Sequence, residues 1–567
     1  MNYHQLIPTT LLTGPVALAA LLLIPNPSAE QPSSVELVTT ASYIVQAEGL
    51  ETARALVESV GGVVTHELSI VQGVAAQLTG EQIVSLENHP GIHRVSGNHP
   101  AELTGKPPKD DSGGNPSTVV ETFYPTHLGA DSLHLEGIDG TGVTIAVLDS
   151  GLFSDNGLTK NPQNAQRVLA TYDAINDSYT TSDDPFGHGS HVTSIAISSR
   201  QAESGTYNGM APNADLVEIQ AFDSTGRSTY ADVIRGIDWV VANRSVYGIG
   251  VLNCSFSAEP QSYYWDDPLN QAIMAAWQAG IVVVASAGNR GPNAMSIGVP
   301  GNVPYVITVG AMTDNFTPDS MDDDVLASFS SAGPTVEGFV KPDVVAPGGH
   351  VLGLMKNSAQ IAVDHPEFHD GGYYFNMSGT SQATAFVSGT VALMLQADPT
   401  LTPDEVKYRI MDTAHPAAWA SGGYTYTVFQ QGDGLVNAYD AVHSTEYGQA
   451  HGSMDINLDL TGVQHYGGPA DAYLEGNGKK ARIIFFVRDA DGNPIEDDGF
   501  LWSDEYVHED GFLWSDGFLW SDGFLWSDGF LWSDGFFWSD GFLWSDGFVN
   551  NDLTTEALFT ESWVEPE

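Results

Sequence analysis

Val143-Thr144-Ile145-Ala146-Val147-Leu148-Asp149-Ser150-Gly151 is a short, almost wholly apolar run that ends on a carboxylate and a glycine. Apolar residues at both alternating positions suit a strand covered on both faces, the condition of a parallel sheet flanked by helices. Ile281-Val282-Val283-Val284-Ala285 repeats the pattern, and segments of helical periodicity alternate with such runs from about residue 123 to 446. The expected fold of residues 123–446 is therefore α/β, a doubly wound parallel sheet. Ligands of open α/β sheets bind beyond the carboxyl ends of the strands, which places Asp149 at the edge where chemistry occurs.

Two further strings lead to that edge. His188 stands in Gly187-His188-Gly189-Ser190-His191-Val192, before an apolar stretch that reads as a helix, with glycines on either side that allow close backbone approach. Ser381 stands in Asn376-Met377-Ser378-Gly379-Thr380-Ser381-Gln382-Ala383-Thr384 and enters an Ala- and Val-rich helix running to about Gln396. A helix N-terminus favours negative charge developing near the serine oxygen. Serine nucleophiles need an imidazole to take the hydroxyl proton and a carboxylate to fix that imidazole, and Asp149, His188 and Ser381 supply the three groups. Asn289, in Ala285-Ser286-Ala287-Gly288-Asn289, follows the strand 281–285 and offers an amide donor for an oxyanion. Taken singly, Asp149 reads more readily as a turn cap, Ser381 as a helix N-cap, and His188 with His191 as part of a metal site than as catalytic groups. No third ligand stands at a recognisable spacing, so no metal is expected there.

Taken together, the order Asp, His, Ser and the strings around them resemble the subtilase family of serine peptidases. The resemblance covers roughly residues 123–446 and includes Asn253-Cys254-Ser255, Lys341-Pro342-Asp343-Val344-Val345-Ala346-Pro347-Gly348 and Gly432-Asp433-Gly434-Leu435-Val436-Asn437-Ala438. It implies a subtilisin-like serine endopeptidase that acts on extended polypeptides through an acyl-enzyme on Ser381. It also implies that Ser255 lies in a backbone segment pairing with substrate, that Gly288 and Asn289 flank the pocket for the residue before the cleaved bond, and that Arg290 stands at its rim. A guanidinium there would favour an acidic side chain, or else be merely solvated. Three positions depart from the usual family pattern: Gln382 and Ala385 replace the common Met and Pro, and Ser257 stands where Gly is usual.

Upstream, residues 42–98 read strand, helix, strand, helix, strand, from Tyr43-Ile44-Val45 through Val74–Leu78 to Ile92–Val95, a small α+β domain. This segment resembles the inhibitor-type propeptide of subtilases, which implies a self-processing precursor whose own propeptide blocks the site. Residues 101–122, rich in Pro, Gly, Asp and Ser, read as an exposed linker. Leu11–Ile24 is apolar but too short to span a bilayer comfortably, and Ala29 follows it, so residues 1–29 are expected to be a secretory signal peptide. The alternatives are an uncleaved anchor or a buried helix.

With 71 Asp and Glu against 19 Lys and Arg, the formal net charge of −52 argues against binding nucleic acid through a basic face. The single cysteine, Cys254, excludes an intrachain disulfide framework. The chemistry requires no cofactor; the acidic loop at Asp183-Asp184 is a candidate for structural calcium, although acidic turns are more often solvated.

Residues 447–498 carry a β-like stretch, around Ala481–Val487. Gly-Phe-Leu-Trp-Ser-Asp then begins at 499, 511, 517, 523, 529 and 541, with a Phe-for-Leu variant at 535, so that 499–552 is a hexapeptide repeat. It is expected to be an exposed repeat docking on another surface through its aromatic groups; a β-solenoid is the alternative. The competing function is an inactive scaffold of the same fold that acts through this tail.

Overall fold

The computed structural model describes residues 39–103, 122–179, 183–315, 317, 323–418, 424–475, 482–488, 494 and 501–502. The chain divides into Met1–Thr39 and Thr40–Glu567, and apart from Thr39 everything described belongs to the second unit. The expected signal peptide and all but Leu501 and Trp502 of the hexapeptide repeat lie outside the described residues.

Thr144–Asp149 sits inside a nine-stranded sheet. On one side of it lie Asp215–Gln220 and then Val168–Asp173; on the other lie Ile249–Cys254, Val282–Ser286, Ile307–Thr313 and Val344–Pro347, all parallel. Two short strands, Ser178–Tyr179 and Val325–Leu326, add antiparallel pairs. The chain leaves Thr144–Asp149 toward one side and later crosses to the other. A topological switch point therefore opens between Thr144–Asp149 and Ile249–Cys254, at their carboxyl ends.

Every residue of Thr144–Asp149, Val282–Ser286 and Ile307–Thr313 is buried, as the apolar runs require. The helix Thr380–Ala397 is buried at every position from Thr380 to Met394, so it has no polar face to solvate. Small residues let it pass between its neighbours: a Cβ on Gly389 would stand 2.4 Å from the Cβ of Met210.

Upstream, Ala41–Ala47, Val63–Leu68, Gly73–Leu78 and Ile92–Gly97 form a four-stranded antiparallel sheet, with helices Leu50–Ser59 and Gly80–Glu87. Val63–Leu68 is one strand more than the sequence reading gave. Residues 63–67 alternate between exposed and half-buried on an edge and only Leu68 is buried, so Val63-Val64-Thr65-His66-Glu67 lacks the apolar signature. One face of this sheet packs Val45, Val74, Ala76 and Leu78 against Ala53, Val57 and Leu86 of its own helices. Burial of such side chains contributes ~1.5–3 kcal/mol each for the larger ones. The other face, with Ile44, Leu68 and Ala75, joins the large core built around the nine-stranded sheet.

The segment expected as a linker from residue 101 begins otherwise. Pro100–Leu103 is a strand held antiparallel between Arg227–Thr229 and Phe256–Ser257, and residues 104–121 lie outside the described residues. A Pro-, Gly- and Asp-rich composition marks what cannot pair by itself; here two neighbouring edges supply the hydrogen bonds.

Residues 447–498 also hold more than a β-like stretch. The helix Ile456–Leu460 precedes a hairpin of Ala470–Glu475 and Arg482–Val487, to which Leu501–Trp502 adds as a third strand. Asp459, on that helix, is buried and accepts from the hydroxyls of Tyr264 and Tyr305 at 2.6 and 3.0 Å, which ties this region beyond residue 446 to the core built around the nine-stranded sheet.

Candidate active site

Asp149 ends its strand at the switch point, and the turn at Ser150-Gly151 exposes its carboxylate to the next helix. His188 opens that helix, His188–Ile197, behind Gly187 at φ 108°. Gly189 permits the approach, since a Cβ there would lie 2.3 Å from the carbonyl oxygen of Gly151. The His188 Nδ1 stands 2.9 and 3.0 Å from the two carboxylate oxygens of Asp149, both side chains being buried. Nδ1 donates there, which makes Nε2 the basic nitrogen of the neutral ring.

Behind this pair lies a polar support absent from the sequence reading of the site. Asp184 is fully buried and accepts from Ser150 Oγ, Gly187 N–H, Ser190 N–H and Ser190 Oγ at 2.7–2.9 Å. Burial pushes its carboxyl above the usual range, against the pull of those donors. Asp183 accepts from Lys356 Nζ at 2.6 Å. The two carboxylates offered for calcium are thus engaged by protein donors.

His191, three residues after His188, faces away into the core, where Nε2 meets the Phe375 carbonyl at 3.0 Å and Nδ1 meets Gln382 Nε2 at 3.4 Å. Burial pushes its ring down to about 3, so it is neutral. The two histidines therefore serve different environments rather than one metal.

Ser381 is the second residue of its helix. Its Oγ donates to the Ser255 carbonyl at 2.9 Å, and Ser255 Oγ donates back to the Ser381 carbonyl at 2.9 Å. The chain of bonds continues from Ser255 Oγ to Asn253 Nδ2 at 2.9 Å and from Asn253 Oδ1 to Ser388 Oγ at 2.8 Å. The end of strand Ile249–Cys254 is thereby fastened to the helix that carries the nucleophile.

Asn289 follows strand Val282–Ser286. Thr380 N–H and Thr380 Oγ both donate to its Oδ1, at 3.0 and 2.9 Å, while Gly288 N–H donates to Thr380 Oγ at 3.2 Å. The threonine hydroxyl spends its proton on Oδ1, and this fixes the amide so that Nδ2 turns the other way. Nδ2 is buried and has no partner among the described residues. A donor held in place and left unused, on a side chain fixed by the neighbour of Ser381, is what an oxyanion requires. Thr380 was present in the quoted string, but only its contact across the fold reveals that it orients Asn289.

Gly288 adopts φ 103° beside Asn289. Arg290 is 42% exposed and pairs through Nη1 with Glu259, 48% exposed, at 3.2 Å. The rim guanidinium already has a carboxylate partner, so an acidic side chain would have to displace it. Gln382 is buried in the first turn of the nucleophile helix, and Ala385 is buried further along it. Burial also pushes the Cys254 thiol up, which leaves it protonated and inert.

The strand Pro100–Leu103 lies in the groove beside these groups. Leu103 faces Phe256 and Glu102 faces Ser257 in the register, and Leu103 N–H donates to the Gly226 carbonyl at 3.2 Å. Ala101 and Leu103 are buried.

Comparison with known proteins gives a consistent picture. The model of the subtilase family matches residues 140–448. The chain is similar to the serine protease AprX of Bacillus subtilis, with 40% identity over 275 residues that make up 48% of this chain and 60% of that protein. It is similar to subtilisin E of Bacillus subtilis, with 29% identity over 384 residues, 67% of this chain and 83% of that one. Among solved structures it shares its fold with fervidolysin from Fervidobacterium pennivorans, described as a keratinolytic enzyme related to subtilisin. That likeness has a TM-score of 0.56 at 21% identity and covers 84% of this chain and 70% of the other.

Proposed function

The chain belongs to the subtilase family, and we propose that it is a secreted serine endopeptidase made as a self-processing precursor. The observation that carries the reading is the convergence, at one sheet edge, of the Asp149–His188 pair, the Ser381 hydroxyl and an Asn289 amide whose donor is unused. His188 takes the Ser381 proton on Nε2 as Oγ bonds to the substrate carbonyl carbon, and the carbonyl electron pair moves onto oxygen. Asn289 Nδ2 receives that oxyanion, helped by the Ser381 N–H, which lies in the first helical turn where N–H groups have no intrahelical acceptor. His188 then protonates the leaving amine, and water hydrolyses the acyl-enzyme. No step needs a metal or cofactor; calcium, if bound, would serve the fold.

An extended polypeptide adds as a strand between Arg227–Thr229 and Phe256–Ser257, as Pro100–Leu103 does in the precursor. The domain 42–98 is read as the intramolecular inhibitor that holds this strand in place. Secretion is proposed from Leu11–Ile24 and Ala29. No described helix is long and apolar enough to cross a membrane. The repeat 499–552 is proposed to hold the enzyme at another surface through its aromatic groups. An inert scaffold is the weaker reading, because His188 is paired with Asp149 and Asn289 keeps an oriented, unused donor.

Replacing the nucleophile tests the reading. Ser381→Ala in the purified full chain is expected to leave the precursor uncut, to abolish labelling by a fluorophosphonate, and to lower peptide hydrolysis by ~10³-fold or more. Normal self-processing by the variant in a protease-free preparation would sink it.

A further inference from the structure

Beyond residue 448, where the match to the subtilase family ends, the chain returns to a turn, Tyr263-Tyr264-Trp265-Asp266-Asp267, that precedes the helix Pro268–Gln278. On one side of the turn, this extension holds it. The His465 ring stacks on the Trp265 ring, with centroids 4.7 Å and planes 11° apart, and His465 Nδ1 stands 2.7 Å from the buried Asp459. Asp459 also accepts from the Tyr264 hydroxyl at 2.6 Å, to which Tyr466 N–H donates at 3.3 Å. Tyr264 N–H donates at 2.8 Å to the buried Glu337, whose carbonyl accepts from Gly468 N–H of the extension at 2.8 Å.

On the other side, the same turn seats the 42–98 domain. Asp266 pairs with Arg94, and Gln271 Oε1 accepts from Gln46 Nε2 at 2.6 Å. Gln46 is buried in the domain, where Nε2 also donates to the Val71 carbonyl at 3.1 Å. Gln271 is aimed by the turn, since its Nε2 donates to the Trp265 carbonyl at 2.8 Å and leaves Oε1 as the acceptor for Gln46. Trp265 therefore serves both sides, with its ring on His465 of the extension and its carbonyl on the glutamine that meets the domain.

We infer that the extension beyond residue 448 sets how tightly the chain holds its own 42–98 domain, with His465 and Trp265 as the positioning residues. This rests on the reading of that domain as the intramolecular inhibitor. Tyr263–Asp267 has no helix or strand of its own, so without support it would be ordered only as the domain arrives, and the cost of ordering would come off the association. The contacts of Asp459 and His465 order it beforehand. Solvated pairs such as Arg94 with Asp266 contribute little unless their geometry is already fixed. Docking of the extension and seating of the domain are thereby linked, and each strengthens the other.

The test uses the full chain in two forms. In the Ser381→Ala precursor, amide hydrogen exchange at Ala41–Ala47 and Ile92–Gly97 reports the seating of the domain, with Thr144–Asp149 as the internal reference. In the active chain, the lag before peptide hydrolysis reaches its plateau reports release of the domain. His465→Ala is expected to raise the exchange of the two domain strands and to shorten the lag, each by about threefold to tenfold, the range of one ring stack. Exchange at Thr144–Asp149 and the plateau kcat/KM should stay as they are. His465→Phe, which keeps a ring on Trp265, should restore the wild-type values, and Trp265→Ala should act as His465→Ala does. Exchange and lag unmoved by His465→Ala, no rescue by His465→Phe, or an equal rise at Thr144–Asp149 overturns the inference alone. A wild-type chain that hydrolyses peptide without a lag while the domain is still bound overturns the inhibitor reading and this one with it.

Discussion

The floor of the cleft and the contact between the 42–98 domain and the catalytic body both join segments far apart in sequence through polar groups, yet they are built differently. In the floor, Asp149 holds His188, Ser255 holds Ser381 and Asn253, and Thr380 holds Asn289, all at 2.9–3.0 Å. In the domain contact, His66 meets Asp232, Arg94 meets Asp266 and Ser69 N–H meets Asp238 at partly or fully solvated positions, while Gln46, itself buried, donates to Gln271. Buried groups that lose a partner are left desolvated, whereas solvated ones turn to water. The floor therefore fixes geometry, whereas the solvated bonds of the contact can be taken over by water.

The contrast is broken hardest at Asn289. Asn289→Ala removes the oriented donor and is expected to lower kcat by ~10²–10³-fold with little change in KM, because the lost bond forms only in the transition state. Steady-state hydrolysis of one good peptide decides it; an equal loss in KM would mean that Asn289 binds substrate instead.

Acid sharpens the same contrast through His191. Burial holds its ring down to about 3, against 6.5 for the free side chain. The unfolded chain takes the proton first, so the contribution is full above pH 6.5 and is lost as pH falls toward about 3, at about 1.4 kcal/mol per unit. Asp267 and Glu337, pushed up by burial to about 6 and about 7, act with the opposite sign as their native forms bind protons first. The diagnostic is accordingly a difference: in a Ser381→Ala background, His191→Gln should show a shallower fall of Tm between pH 6.5 and 4.5. Parallel Tm curves would show that His191 does not carry the effect.

The smallest effect is expected at the domain contact. Arg94 and Asp266 are 38% and 27% exposed, and such a pair contributes ~0–1 kcal/mol. Arg94→Ala should therefore weaken inhibition of the mature enzyme by the added domain no more than about fivefold, and added salt should lessen even that difference. A loss of a hundredfold would place this contact in the same class as the floor.

Asp149, His188, Ser381 and Asn289 were legible because each lies within a few residues of a strand end or helix start that its own neighbours announce. Arg290 was expected at a pocket rim from the resemblance alone, and its pairing with Glu259 was not legible. The strand Val63–Leu68 escaped because a half-exposed edge lacks the apolar alternation, and Pro100–Leu103 escaped because its pairing edges come from residues 227–229 and 256–257.

By itself the sequence determined the parallel sheet, the order of Asp149, His188 and Ser381 and the sheet edge proposed for the chemistry, since these follow from periodicity and from strings a few residues long. Only the tertiary structure decided how those groups are aimed. The Thr380 bonds that turn Asn289 Nδ2 free span 91 residues, and the reciprocal bonds of Ser255 and Ser381 span 126. The Ser257 hydroxyl likewise fits only because Gly288 and Gly298 lack a Cβ where it packs. Hydrogen-bond direction and the space between side chains are properties of surfaces brought together by folding, and no local pattern encodes them.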